Sequence, residues 1–333
     1  MTCFLIWLMI MLGGATRLTH AGLSIVEWKP ITGIIPPLTE NQWLVEFAKY
    51  QQFPEYQLIN QGMSLTEFKF IFWMEYAHRL LGRLIGLIFF LPLFVFWFLG
   101  WLPSFLKRNG IIISLLGLIQ GVMGWYMVKS GLVKDPSVSH YRLTAHLLLA
   151  IVIYTFVFWS LLKANFKNGL GVSSLSGIAH ICCALVIITI TYGGLVAGLK
   201  AGLIYNTYPL MEGQLIPSEW NFLSPFYLNF FENAATVQWV HRTLALITFV
   251  TIVYAAIKAH KQQIWAFKLA AIAMGFITFF QFLIGILTLL NQVPVCLGTL
   301  HQGIAIVVLS AVLYFFYVSR YQPIGVRYEQ KGR

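Results

Sequence analysis

The segment EYAHRLLGRLIGLIFFLPLFVFWFLG, Glu75 to Gly100, decides the fold. After Glu75, His78, Arg79 and Arg83 there is no charge until Lys107, a run long enough to cross a bilayer as a helix. An acid, a histidine and two arginines at the edge of such a run are expensive to carry toward lipid and ask for a functional reason.

The run is one of many. Of 333 residues, 59% are hydrophobic and only 10% charged, against about 25% charged in an average soluble domain. Apolar stretches predict eight spans, near 1–18, 70–99, 110–128, 141–162, 175–198, 233–257, 266–290 and 299–319. The first lacks a basic leader, since Arg17 follows the apolar residues, so it reads as a retained helix and not a cleaved signal. Fold class is therefore an all-α polytopic membrane protein with eight transmembrane helices.

The net charge of +11 has a topological explanation and does not imply nucleic acid. Lys107, Arg108, Lys163, Lys167, Lys258, Lys261 and Lys268 lie in the connections after the second, fourth and sixth spans, with Arg320, Arg327, Lys331 and Arg333 at the C-terminal end. Basic residues mark the cytoplasmic side, which predicts cytoplasmic termini and outward-facing long connections at about 19–69 and 199–232. Acidic residues sit opposite, Glu329 excepted. Cys3, Cys182, Cys183 and Cys296 form neither a disulfide framework nor a zinc motif.

The chain repeats. LGGATRLTHAGL at 12–23 aligns with YGGLVAGLKAGL at 192–203, a shift of 180. HRLLG at 78–82 aligns with HRTLA at 241–245, QGVMG at 120–124 with QFLIG at 281–285, and His146 with His301. Each half, 1–165 and 166–333, carries four spans, an even number. The halves are thus expected to insert the same way up as two pseudo-symmetric four-helix bundles, related by an axis along the membrane normal. The paired glycines and Gly82 with Gly86 suit close helix approach.

Four histidines, His78, His146, His241 and His301, occupy repeat-matched places near the starts of even-numbered spans. Two histidines facing across a helical bundle can hold a porphyrin iron, and Arg79, Arg83 and Arg242 can meet its carboxylates. Proton relay, ion transport and other metals stay open on these residues alone. His20, His140, His180 and His260 read as non-ligands. Glu75 stands three residues before His78, whereas Gln238 holds the matching place before His241. The half with the acid is the expected reaction chamber; pairing with Arg79 is the other reading of Glu75. In the outer connections, Trp43, Phe47 and Tyr50 have helical spacing, and SLTEF at 64–68 has the form of a capping box, placing a helix start at Leu65. These connections, and YNTYPLMEGQLIPSEW at 205–220, are candidate roofs over the two sites.

With these residues in view, the chain resembles the haem A synthase family, in the branch shared by mitochondria and alpha-proteobacteria. The matching pieces are GGATRLTHAGLSIVEWKPITGIIPP (13–37), EFKFIFWMEYAHRLLGR (67–83), QGVMGWYMVKSGL (120–132), YGGLVAGLKAG (192–202), YNTYPLM (205–211), HRTLA (241–245) and LHQG (300–303). The resemblance implies oxidation of the C8 methyl group of haem O to a formyl group, giving haem A through hydroxylated intermediates. It implies a haem b cofactor between His241 and His301, haem O between His78 and His146, and Glu75 as the essential acid. It further implies a multi-pass protein of the bacterial inner membrane, with a haem O synthase and terminal oxidase assembly proteins as candidate partners and a homo-oligomer left open. The cysteine pair that another branch carries in its first outer loop is absent. Rival readings are a di-haem b electron-transfer cytochrome, an ion-coupled transporter and an assembly factor that hands haem on unchanged.

Overall fold

The computed structural model describes residues 1–29, 32–131, 138–166, 174–262 and 264–321. Lys167, Arg327, Glu329, Lys331 and Arg333, used above for orientation, lie outside the described residues. The described secondary structure is helical, apart from one isolated bridge between Met211 and Gln214.

The helices are α1 (Thr2–Leu18), α2 (Glu40–Tyr50), α3 (Pro54–Leu58), α4 (Leu65–Phe98), α5 (Ser104–Gly131), α6 (His140–Asn165), α7 (Ser176–Gly198), α8 (Asn229–Glu232), α9 (Ala234–His260), α10 (Trp265–Leu290) and α11 (Val295–Tyr321). Among the described residues, seven are long and apolar enough to cross a membrane: α4, α5, α6, α7, α9, α10 and α11. The eighth expected span, α1, is apolar but has 17 residues, about 26 Å of helix against a hydrocarbon core of about 30 Å. Several helices outrun the apolar windows that predict them. Hydropathy follows the lipid-facing length, whereas backbone hydrogen bonding continues into the polar ends.

The long helix α4 starts where the capping box places it. Ser64 Oγ accepts from the Glu67 amide at 3.3 Å and Glu67 Oε2 accepts from the Ser64 amide at 2.8 Å, so two end amides are satisfied reciprocally. Thr39 and Gln42 build a second capping box at the start of α2. That helix does more than anchor at an interface. Trp43 and Tyr50 are buried against Phe68, Ile71 and Phe72, in the N-terminal part of α4. The Trp43 and Phe72 rings meet edge to face at 4.9 Å, and Tyr50 stacks on Phe68 at 5.3 Å. The connection between α1 and α4 is thus a packed cap.

The chain divides into two compact units, Met1–Tyr154 with Pro294–Gln302, and Thr155–Val293 with Gly303–Arg333. Within the first, α1 packs on α4, Met9 fits against Gly82, and Gln302 donates to the Ile10 carbonyl at 2.8 Å. Within the second, α9 packs between α7 and α10, with Thr189 and Thr248 hydrogen-bonded at 2.8 Å.

Candidate functional site

Both α1 and α7 end in the same way. His20 and Lys200, 180 residues apart, each adopt φ of 54°, the left-handed conformation that turns the chain back after a helix. The non-helical segment after each turn is then held by an arginine of the next long helix. Arg79 donates to the carbonyls of Ile25 at 2.8 Å and Glu27 at 3.0 Å. Arg242 donates to the carbonyls of Tyr205 at 2.7 Å and Thr207 at 2.8 Å. These acceptors are repeat mates, again 180 apart. Arg83, one turn beyond Arg79, adds the Lys29 carbonyl at 2.9 Å; Leu246 at its matching place cannot. A guanidinium supplies several fixed donors at once, which suits it to fastening irregular backbone.

The two clasps differ at their centre. Glu75 is 3% exposed, and donors surround it. Ser24 Oγ and the Ile25 amide donate to Oε2 at 2.7 and 2.8 Å, and Arg79 meets Oε1 at 2.6 Å. The Ile25 amide and the Arg79 guanidinium can only donate, so both carboxyl oxygens are held as acceptors. Gln238, 2% exposed, faces the opposite chemistry on one side: its Nε2 donates to the carbonyls of Ala201 at 2.6 Å and Tyr205 at 3.3 Å, and its Oε1 accepts from Arg242 at 2.8 Å. Ser24 itself has an apolar mate, Ile204. The pairing of Glu75 with Arg79 and its place beside His78 therefore coexist.

The histidines stand beside glycines. A Cβ on Gly13 would lie 3.1 Å from Cε1 of His78, one on Gly124 3.2 Å from Cε1 of His146, and one on Gly193 3.3 Å from Cε1 of His241. Gly13 and Gly193 are repeat mates. Each glycine makes room for an imidazole, where the sequence suggested room for a neighbouring backbone. The Nδ1 atoms of His78 and His146 are buried without a hydrogen-bond partner. His241 Nδ1 lies 3.2 Å from the Thr189 carbonyl, which can only accept, so Nδ1 carries the proton and Nε2 the lone pair. Gln120 Nε2 lies 3.3 Å from His146 Nε2 and 3.2 Å from the His146 carbonyl. His301 is half-buried in the first turns of α11. His20, His180 and His260 are exposed, and His180 bonds its own helix at the Ser176 carbonyl.

Among the described residues, no three His, Cys, Asp or Glu side chains gather as a metal cluster. His78 and His146, each beside a glycine and each with a buried Nδ1 that has no hydrogen-bond partner, fit ligation of a porphyrin iron better than a compact multi-ligand ion site. Reading residues singly passes over Ser24, Gln120 and the ring-facing role of the glycines. Extending the 12–23 alignment by one residue exposes the contrast between Ser24 and Ile204.

Comparison with known proteins follows the same residues. The family model described as cytochrome oxidase assembly protein, COX15-CtaA, matches residues 1–313. A relative named "Heme A synthase" from Nitrosospira multiformis is 46% identical over 320 residues, covering 94% of this chain and 89% of its own. Relatives of the same name come from Paramagnetospirillum magneticum, 46% identical with 94% and 90% covered, and Rickettsia bellii, 43% identical with 94% and 95% covered.

Proposed function

The chain belongs to the COX15-CtaA family of cytochrome oxidase assembly proteins, and from that premise we propose that it is a membrane oxidoreductase acting on haem O, a haem A synthase. The C8 methyl group is oxidised to a formyl group through hydroxylated intermediates, with water as the oxygen source. The observation that carries the reading is the buried carboxylate of Glu75, one helical turn from His78, in a frame whose repeat mate holds an amide.

In this reading His78 and His146 receive the iron of the substrate haem O. His241 and His301 hold a resident haem b, an assignment resting on the repeat and the family resemblance. That haem supplies a one-electron acceptor when bound. Glu75 takes up a proton as the methyl carbon is oxidised, or orients the attacking water; Ser24, the Ile25 amide and Arg79 keep it aimed. Arg79, Arg83 and Arg242 are candidate partners for porphyrin carboxylates, and because each already fastens a loop, carboxylate binding and loop closure share one side chain. The packed α2 cap over the N-terminal part of α4 excludes water from the acid.

The finer architecture belongs to the same proposal. It comprises eight spans, with α1 the shortest, in two four-helix halves, 1–165 and 166–333, in the bacterial inner membrane with cytoplasmic termini. A haem O synthase and terminal oxidase assembly proteins are the candidate partners.

Co-expression with a haem O supply tests the reading. Pigment extracted from the membranes and resolved by mass is expected to contain haem A. Bound haem without any haem A would instead identify a di-haem electron-transfer cytochrome or a haem carrier.

A further inference from the structure

We propose that Gln120 is a positioning residue for His146: its carboxamide holds the ring in the tautomer that ligates iron through Nε2, and yields that nitrogen when the haem substrate arrives. The inference rests on the reading of His146 as an axial ligand.

The orientation of the amide follows from its two contacts. The His146 carbonyl can only accept, so the Gln120 atom 3.2 Å away is the amide nitrogen. The same nitrogen lies 3.3 Å from His146 Nε2. One amide hydrogen goes to each, so the ring nitrogen accepts and its proton sits on Nδ1. Neither end of this arrangement is held by anything else: Gln120 Oε1 and His146 Nδ1 are both buried without hydrogen-bond partners. Gly124, one turn further along α5, lies under Cε1 of the ring, where any side chain would crowd it.

His241 reaches the same tautomer by a different route. Its Nδ1–H donates to the Thr189 carbonyl at 3.2 Å, a bond on the far side of the ring from Nε2. Metal-bound histidines commonly carry such a partner, and a metal at Nε2 leaves it intact. Gln120, by contrast, occupies the ligating nitrogen itself. For His146 to hold a haem iron, Gln120 would have to give up that nitrogen, and its amide would be placed to take it back afterwards. The His241 arrangement suits a group that stays; the His146 arrangement suits one that must leave after each turnover.

The test uses the purified full chain with ferric protohaem as probe. Haem dissociation is followed by capture with excess apomyoglobin, and the His146→Ala variant identifies the component that depends on this ligand. Gln120→Leu removes the competitor and is expected to slow release of that component about two- to tenfold, the range for one net hydrogen bond. Gln120→Glu presents an acceptor, favours Nε2–H, and is expected to speed release. Nitrogen-15 shifts of labelled histidine in haem-free protein give an independent reading: Nδ1–H in the wild type, a tautomer mixture in Gln120→Leu and Nε2–H in Gln120→Glu. Release moving in the same direction in both variants, or a tautomer indifferent to them, overturns the proposal. If His146→Ala loses no haem component, the underlying assignment of His146 fails whatever Gln120 does.

Discussion

Glu75 with Arg79 and Gln238 with Arg242 occupy repeat-matched places, and the difference between them teaches what the repeat has kept and what it has changed. The frame is kept: a left-handed turn at His20 or Lys200, an arginine on alternate carbonyls after it, and a glycine under the first histidine. The chemistry is changed. One side of the frame aims a hydroxyl and an amide at Glu75, where the other aims two carbonyls at Gln238. A side chain able to exchange a proton stands beside His78 only. The frame has a structural job in both halves, so its retention needs no appeal to catalysis, while the local reversal from donors to acceptors does.

The largest structural effect comes from forcing the first half's chemistry on the second. Gln238→Glu sets a carboxylate oxygen against the carbonyls of Ala201 and Tyr205. It is expected to cost on the order of 3 kcal/mol, even with Arg242 still available to the other oxygen. Faster proteolysis in the 199–220 segment reports it; unchanged resistance would mean that the two frames are interchangeable. A smaller effect comes from the ring cradles. Gly13→Ala and Gly193→Ala each force an imidazole to move by a few tenths of an ångström, at about 1 kcal/mol, and are expected to shift the haem absorption bands. Gly86→Ala, with nothing within 4 Å of its Cβ, serves as the silent control.

The smallest effect is electrostatic and lies in the loops outside the spans. Lys29 at 2.7 Å and Lys49 at 2.9 Å hold the Glu27 carboxyl below its usual range, and the Tyr205 hydroxyl does the same for Glu219. A depressed carboxyl contributes stability that is complete above its ordinary value near 4.5 and is lost as pH falls through the lowered value. Both loops should therefore loosen in acid, Glu27 contributing a few tenths of a kcal/mol because it is partly exposed. High salt should abolish the Glu27 contribution by screening and spare that of Glu219, which depends on a neutral donor. Equal salt sensitivity in the two titrations would remove this distinction.

Much of this could be read from residues alone, for identifiable reasons. Span-length runs, the HRLLG and HRTLA pair and the Glu75 and Gln238 contrast are local in the chain, and the capping box of α4 is a four-residue pattern. The Arg79 partner of Glu75 was legible from its i,i+4 spacing, whereas Ser24 and the Ile25 amide were hidden because they lie about fifty residues away and one is backbone, which no side-chain pattern records. The arginines were legible as cations placed for carboxylates; their grip on the carbonyls of Ile25, Glu27, Tyr205 and Thr207 is a tertiary fact. Gln120 was visible as part of a repeated motif, but its contact with His146 needs the packing of α5 on α6. For α1, composition gave apolarity, whereas its ability to span depends on length, which is where it differs from the other seven.

The central claim is that a shared frame performs chemistry only where it holds a carboxylate. Glu75→Gln tests it directly, since Gln238 shows that an amide fits the frame, although the Ile25 amide would oppose a second donor. Haem content and haem A yield should be measured on the same membranes, with a haem O supply. The account predicts near wild-type bound haem with no haem A. Haem A at the wild-type level would contradict it.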